Sequence, residues 1–434
     1  MTASSLRDEP FFSIVVHIYL SHVQANMSDR KPSLLVAKGN MKRMGGAERD
    51  LLRCLPHLQQ MFDVSVATLN PSTEMLELCR EKKIRTFVPP TPWNPPTTAL
   101  SQILNRVHTS SRQSWRRCEG LLASIENFDC FHIVSGDGYL AFMEMIPRDK
   151  TAHLHLLEPH RGYHEDSLHR KLNGKLKRPA FLTNILLSIG RKKDLSTVRK
   201  FASNPSFLVS ANSTYSAQRS RDVYGIQCGV LHPCVDQNEF SLNFGETTNP
   251  IKQRTEAEYV VTVGTANWAK ASMETISMLS GTGVALAHVG GGTDAEKAQL
   301  EQHAKHQSVD LWIAPRLSSE ELAKLMADAL AVVSMAHKEP FGLTPIEAFS
   351  IGTPALFVDE GGFRDTIVDG KCGRLIPRDN LSAWHAALDE ARHPDNRKNW
   401  STYGRKRISE LQLSPEEQAE KIHGILLGET TKEP

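Results

Sequence analysis

Short apolar runs alternate with stretches whose apolar positions recur every three or four residues, and the alternation persists over most of the chain. Runs of the first kind predict strands and those of the second predict helices. Strands are expected over 33–37, 64–68, 130–134, 152–157 and 207–210. A second series follows over 229–231, 259–263, 284–289, 311–314, 329–334 and 355–358. Between them, 47–60 carries Leu51, Leu52, Leu55 and Leu58 at helical spacing, and 318–327 and 345–350 read as further helices. Strand and helix in strict alternation predict parallel sheets covered on both faces. The prolines at 89, 90, 92, 95 and 96 remove donors and restrict their neighbours, so 89–96 is expected as a stiff surface connection. The polar, aperiodic stretch 238–256 is expected to be a loop between two α/β domains.

Composition narrows the class. With 434 residues the chain is too long for one ordinary core, and two domains are expected. Its 51 Lys and Arg against 49 Asp and Glu leave a net charge of +2, which gives no reason to expect nucleic-acid binding. The seven cysteines are scattered without a C-x-x-C pair and read as reduced, buried thiols, so a cytoplasmic location is expected. The longest apolar run, 11–20, is broken by Ser13 and His17 and is too short to span a membrane. It lacks a basic start and a cleavage pattern, and residues 1–26 read as an added or mis-assigned start ahead of Met27.

The sharpest chemistry lies at 337–354, where Glu339 and Glu347 stand eight positions apart around Pro340, Phe341, Gly342, Leu343 and Thr344, followed by Gly352, Thr353 and Pro354. This is the turn from a strand into a helix, and ligands of open α/β sheets bind at such carboxyl ends. Carboxylates there accept from vicinal hydroxyls, and free helix-start amides donate to anions, so a sugar or ribose ligand fits. Thr344-Pro345-Ile346-Glu347 also reads as an ordinary capping box with proline at the first helical position.

The segment from Glu339 to Pro354 resembles the donor-sugar signature of the retaining glycosyltransferases of family four, which have the GT-B fold. Gly45-Gly46-Ala47-Glu48, Leu157-Glu158-Pro159-His160-Arg161, Ser210-Ala211-Asn212-Ser213-Thr214, Val230 to Asp236 with Phe240, Val289 to Gly292, Leu317 to Leu322 and Glu360 to Phe363 resemble further family segments in order. The resemblance spans roughly 33–385. It implies two Rossmann-like doubly wound domains facing a cleft. After an extension over 1–31, an acceptor domain covers 32–225, a nucleotide-sugar domain 226–408, and a C-terminal helix and tail 409–434. The terminal helix often crosses back to the first domain in this fold.

The implied activity is transfer of a hexosyl group from a nucleotide-diphosphate sugar to a hydroxyl acceptor with retention, leaning toward mannosyl transfer in glycan or glycolipid synthesis. Carried over by position, Glu347 partners the ribose, Glu339 the donor sugar and Lys270 the diphosphate. Phe341, Gly342, Leu343, Thr344, Gly264, Gly290 and Gly291 line the donor. Gly45 and Gly46 face the donor phosphate or the acceptor, and Glu158 and Arg161 contact the acceptor. A histidine of the first domain, His155 or His160, reaches the donor sugar. The family usually has an arginine after the glycine at 264, where this chain has Thr265; Arg316 or Lys338 is the expected substitute. No metal or other cofactor is expected. Alternatives are another enzyme of the fold, an epimerase or a phosphorylase, and a non-catalytic sugar-nucleotide or glycan binder.

Two further patterns stand outside that signature. His153, His155, His160, His164 and His169 lack the spacing of a zinc motif. From 170 to 200 there are ten Lys or Arg against one acid, Asp194, interleaved with leucine, isoleucine and phenylalanine. This is either a solvated helix pair or a basic amphipathic surface for anionic lipid, with a lipid-linked acceptor near the cleft.

Overall fold

A computed structural model describes residues 30–42, 44–96, 106–236, 247–252 and 254–428. The run 11–20, the proposed start at Met27, Phe240 and much of 238–256 lie outside the described residues. The chain forms two sheets, each wholly parallel among its described pairs. The first has strand order β3-β2-β1-β4-β5-β6-β7 and the second β10-β9-β8-β11-β12-β13. In each sheet the chain starts centrally, winds to one edge, then returns to wind the other way, which is the doubly wound order. The two Rossmann-like domains expected from the sequence are therefore present.

In the first sheet β1 is Ser33–Ala37, β2 Asp63–Ala67, β3 Arg85–Phe87, β4 Cys130–Val134, β5 Thr151–Leu157, β6 Phe207–Ala211 and β7 Gly229–Val230. In the second, β8 is Tyr259–Val263, β9 Ala285–Val289, β10 Leu311–Ile313, β11 Ala331–Ser334, β12 Ala355–Val358 and β13 Gly373–Ile376. Central strands such as β1 and β4 are buried at every position because helices cover both faces, which is why they read as unbroken apolar runs. The helix Gly46–Met61 buries Leu51, Leu55 and Leu58 along one stripe, as its period predicted.

Three expectations are corrected. The strand near 229–231 does not open the second series: it pairs with β6 and forms the edge of the first sheet, so that domain runs past residue 225. The proline-rich connection is not wholly on the surface: Trp93 is buried, its amide donates to the Leu69 carbonyl at 2.9 Å and its indole to Ser110 Oγ at 3.1 Å. Thr344 does not cap a helix. The helix Leu343–Ile351 starts after Gly342, whose φ of +90° and missing side chain leave the first turn without a side-chain cap.

The C-terminal stretch splits into two helices. Pro394–Leu411 packs on the second domain, with Trp400, Ile408 and Leu411 in its core. Pro415–Leu427 crosses back and buries Ala419, Ile422 and Leu426 with Leu51, Leu55 and Leu58 of the first domain.

Candidate functional site

The strand order reverses between β1 and β4 in the first domain and between β8 and β11 in the second, and the segments that follow β1 and β5 meet the segment that follows β11. On the second-domain side, Gly264 follows β8 and Gly290 follows β9. Gly264 N donates to the Val289 carbonyl at 2.7 Å and Ala266 N to the Gly291 carbonyl at 2.8 Å, which presses the two turns together. A Cβ on Gly290 would lie 2.6 Å from the Gly264 carbonyl, so only glycine fits there. Thr265 is exposed beside this crossing. Trp268–Lys270 then forms a short 3-10 turn capped by Asn267, whose side chain accepts from Lys270 N at 3.0 Å.

That turn aims Lys270 at Glu339: Nζ and Oε2 are 2.9 Å apart. Burial pushes the Glu339 carboxyl up, but the adjacent Lys270 ammonium and the Arg161 guanidinium more than offset it and hold Glu339 below the usual carboxylate range. The sequence placed these residues 69 positions apart; the fold makes them one ion pair.

From the first domain, β5 ends in a register shift between His155 and Leu157, and Leu157 has a φ of +60°. The irregularity turns Glu158 out of the strand's alternation and toward the second domain. Arg161 Nε donates to Glu158 Oε2 at 2.8 Å, while its Nη2 reaches the Lys338 carbonyl across the cleft. Burial, together with Glu165 and Glu339 nearby, pushes the Glu158 carboxyl up to about 7 even though Arg161 opposes the shift. Arg219, which no motif singled out, pairs with Glu165 at 2.5 Å and stands 3.9 Å from Glu158. Glu158, Glu165 and Glu339 thus face Arg161, Arg219 and Lys270, a balanced set half-shielded from water.

Left-handed non-glycine residues flank this set. Leu157, Ala271 and Lys338, with φ of +60°, +52° and +50°, each adjoin one of Glu158, Lys270 and Glu339. Such conformations cost about 1–3 kcal/mol apiece and persist where the surroundings over-determine them.

The glycine-rich turn of the first domain faces the helix Leu343–Ile351: a Cβ on Gly46 would sit 3.1 Å from Leu343 Cδ1. Gly45 N donates to Glu48 Oε2 at 3.0 Å, and Glu48 in turn pairs with buried Lys38 at 3.2 Å. Lys38 carries no motif, because its partner lies a turn away in space on the next element. Phe341 is buried against the His232 ring at 5.2 Å. Thr344 and Glu347 are half-buried in the helix that starts at Leu343. Arg316 is exposed on the loop after β10 and Lys338 is exposed beside Glu339; neither forms an ion pair among the described residues.

The histidines separate. His155 is 1% exposed, and its Nε2 donates to the Leu231 carbonyl at 3.1 Å, so it lies inside the sheet layer and not with Lys270 and Glu339. His153 is equally buried, between His132 (Nδ1 to Nδ1, 3.0 Å) and Ser210 (2.7 Å). His160 is exposed and stacks on Tyr163 at 4.1 Å. His164 donates to buried Asp194 at 2.8 Å. Among the described residues no three His, Cys, Asp or Glu side chains gather in a metal-holding group.

The connection 158–179 is a strap that sequence reading missed. It leaves the first domain, buries Leu172 in the core of the second, and lays the Arg170 guanidinium 4.9 Å above the Trp268 ring. His337 stacks on Trp268 at 3.9 Å, so the turn that carries Lys270 is braced from both domains.

Comparison with known proteins agrees with this geometry. Residues 246–407 match the family model described as glycosyl transferases group 1. The chain is 26% identical over 118 residues to the alpha-maltose-1-phosphate synthase of Mycolicibacterium smegmatis, covering 26% of this chain and 30% of that protein. It is 32% identical over 107 residues to the D-inositol 3-phosphate glycosyltransferase of Corynebacterium kroppenstedtii, covering 24% of each. The aligned part is thus under a third of either relative. Likeness of structure extends further. The sucrose-phosphate synthase of Thermosynechococcus elongatus superposes with a TM-score of 0.66 at 16% identity, over 92% of this chain and all of that one. Anabaena HepE in complex with UDP and glucose gives 0.61 at 16% identity, again over 92% of this chain and all of that one. The protein has the GT-B fold.

Proposed function

We propose that the protein is a retaining glycosyltransferase that moves a hexosyl group from a nucleotide-diphosphate sugar to a hydroxyl acceptor. The observation that carries this reading is the Lys270–Glu339 pair at 2.9 Å, set beside the Gly264–Gly290 crossing and faced by Glu158 and Arg161 from the other domain. In this reading the glycine turns let a diphosphate approach the backbone, Lys270 neutralises it as it departs, and Glu339 holds the sugar hydroxyls. Glu347 accepts from the ribose, and the uncapped amides at Leu343 and Thr344 point toward the anion. Gly290, Gly291, Thr265 and Arg316 line the nucleotide, and Gly45 and Gly46 close the phosphate side. Glu158 and Arg161 receive the acceptor. The anomeric C–O bond to the diphosphate breaks, the acceptor oxygen bonds to the same face, and the acceptor proton passes to the departing phosphate oxygen. No protein nucleophile is required, so the enzyme's part is orientation and charge.

HepE was solved with UDP, which favours a nucleotide donor here. The thermal shift of the full chain with UDP, GDP, ADP and their common sugar conjugates tests the reading. At about 100 times its dissociation constant a ligand adds about 2.7 kcal/mol to stability. One nucleotide should shift the midpoint, and Glu347→Ala should abolish that shift. A flat panel would sink the reading and favour a non-catalytic glycan binder; the second reading rests on exposed Thr265 in place of the family arginine.

The acceptor is proposed to be lipid-linked and met at an anionic membrane surface. No helix among the described residues is long and apolar enough to cross a membrane. Phe181, Leu182, Ile185 and Ile189 lie 42–64% exposed along the helix Ala180–Ala202, and Leu168 and Leu176 are exposed in the connection before it. Exposed Lys171, Lys175 and Lys177 precede them in the chain and exposed Lys192 follows them on the same helix. The stretch's single acid, Asp194, is turned inward to Tyr139, Tyr224 and His164, so it leaves the outer face cationic. Bare apolar side chains in a stretch whose exposed charges are cationic suit the boundary of an anionic bilayer. Co-sedimentation with vesicles containing phosphatidylserine should fall with added salt and with Ile185→Asp; equal pelleting with neutral vesicles would refute the anionic preference.

A further inference from the structure

The segment that carries Glu339 is held from both domains: in its own, His337 N donates to the Ala269 carbonyl at 2.8 Å and Lys270 pairs with Glu339, and further bonds come from the opposite one. The His337 carbonyl accepts from Arg161 Nη2 at 3.5 Å, and the Lys338 carbonyl accepts from the same nitrogen at closer range. The Glu339 carbonyl accepts from Gly362 N at 2.8 Å. The Pro340 carbonyl accepts from two hydroxyls, Ser213 Oγ and Ser216 Oγ, the latter at 3.2 Å. Every carbonyl from 337 to 340 is therefore engaged, and all but that of Glu339 are met from the first domain. The same segment contains Lys338 with a φ of +50°, a conformation a lysine does not hold without outside support.

The hydroxyls are well chosen for this. Ser213 opens the helix Thr214–Tyr224, and its Oγ accepts from Ser216 N at 2.9 Å while donating across the cleft. Both serines are fully buried, so an unmet hydroxyl or carbonyl there has no water to turn to. The neighbouring Thr214 N donates to Asp365 Oδ2 at 2.6 Å, which fixes the helix start against the second domain independently of the Pro340 contact.

We propose that Ser213, Ser216 and Arg161 are positioning residues: they fold 337–340 into the shape that presents Glu339 to the donor sugar, and they do so only when the domains are together. The second domain alone holds the nucleotide, through Lys270, the glycine crossing and the helix at Leu343. Grip on the sugar is added by the first domain. A donor bound before closure is thus held by its diphosphate with its sugar unoriented, which keeps the reaction from running to water. This inference rests on the reading of Glu339 as the sugar's partner.

Titration calorimetry of the full chain, with the nucleoside diphosphate that shifts the wild type and with its sugar conjugate, separates the possibilities. The wild type should bind the conjugate more tightly than the diphosphate. The double variant Ser213→Ala, Ser216→Ala should keep its diphosphate affinity within about twofold and lose about tenfold of the sugar-dependent gain, matching Glu339→Gln. Ser213→Thr, which retains both the cap and the donor, should restore the gain. Ser216→Ala alone leaves the helix cap intact and should show part of the loss, which covers the case in which the double variant folds poorly. Equal weakening of both ligands, or an unchanged sugar gain, would overturn the proposal, since the hydroxyls would then be plain interdomain contacts. A wild type that binds no nucleotide would overturn the functional reading first, and this proposal with it.

Discussion

At the scale of the residue, the site depends on positions that tolerate one side chain or none. Gly290 combines a φ of +126° with a Cβ direction that ends 2.6 Å from the Gly264 carbonyl. An alanine would have to move backbone, not a flexible side chain, and strain of this kind costs roughly 1–3 kcal/mol before any clash is counted. Gly291 has a φ of +69° with nothing within 4 Å of a Cβ, so alanine there meets only the conformational cost, about 1–2 kcal/mol. Gly290→Ala should lower the calorimetric midpoint of the second domain clearly more than Gly291→Ala. Equal midpoints would mean that the backbone at the crossing gives way at little cost. Sequence reading found these glycines, because an apolar strand ending in three glycines is a local signal. It could not find Arg219 or the bracing of Trp268, because those depend on pairs 54 and 69 positions apart: Glu165 with Arg219, and Trp268 with His337.

At the scale of the element, β4, β5 and β6 carry polar side chains where strands of a doubly covered sheet normally carry aliphatic ones. His132, His153 and His155 are buried in a row, and burial pushes His132 down to about 4, His155 down to about 3 and His153 well below its usual range. His288 on β9 is pushed down to about 4 for the same reason. The unfolded chain, with histidines near 6.5, binds more protons than the folded one between about pH 4 and 6.5. Their contribution is therefore complete above pH 6.5 and is lost on acidification, by up to ~1.4 kcal/mol per pH unit for each histidine. Asp50 and Glu158, pushed up to about 6 and about 7, act in the opposite sense within the same window, but two groups do not cancel four. Denaturant midpoints should fall from pH 7 to pH 5, and His132→Gln should flatten that slope. A midpoint that holds or rises on acidification would show that the row is hydrated. The strands themselves were legible because their apolar neighbours set the period, whereas β3 and β13 were missed: each is short, lies at an edge of its sheet, and carries half-exposed positions that blur it.

At the scale of the whole molecule, two domains with parallel sheets were legible from strand–helix alternation and the doubly wound order from the family resemblance, but the joint between the domains was not legible, because it is built from single polar side chains. Asp50 of the helix Gly46–Met61 is 3% exposed and accepts from Cys234 N at 2.6 Å, at the exit from the first domain. It also accepts from Gln418 Nε2 at 2.9 Å, on the terminal helix that has crossed back from the second. Gln418 donates in turn to the His232 carbonyl at 3.0 Å, and Arg53 Nη1 to the Cys234 carbonyl at 3.2 Å. One carboxylate thus gathers the outgoing linker and the returning helix onto the helix that begins at the glycine-rich turn. Burial raises its pKa to about 6 against 3.8 when free, and the hydrogen bonds from Cys234 and Gln418 only partly oppose that. Its ionised form is therefore less stable in the folded chain: stability that is full below pH 3.8 declines as pH rises toward 6, by roughly 3 kcal/mol in total. An asparagine in its place would keep an oxygen for Cys234 N and Gln418 and never carry the charge. Asp50→Asn should therefore be as stable as the wild type or more so at pH 8, by no more than that amount. Asp50→Ala strands two buried donors and should cost about 2–3 kcal/mol at the same pH. Urea midpoints of the three proteins at pH 8 decide it: if asparagine destabilises as much as alanine, the joint needs the charge itself, and the linker and returning helix are held by electrostatics more than by hydrogen-bond geometry.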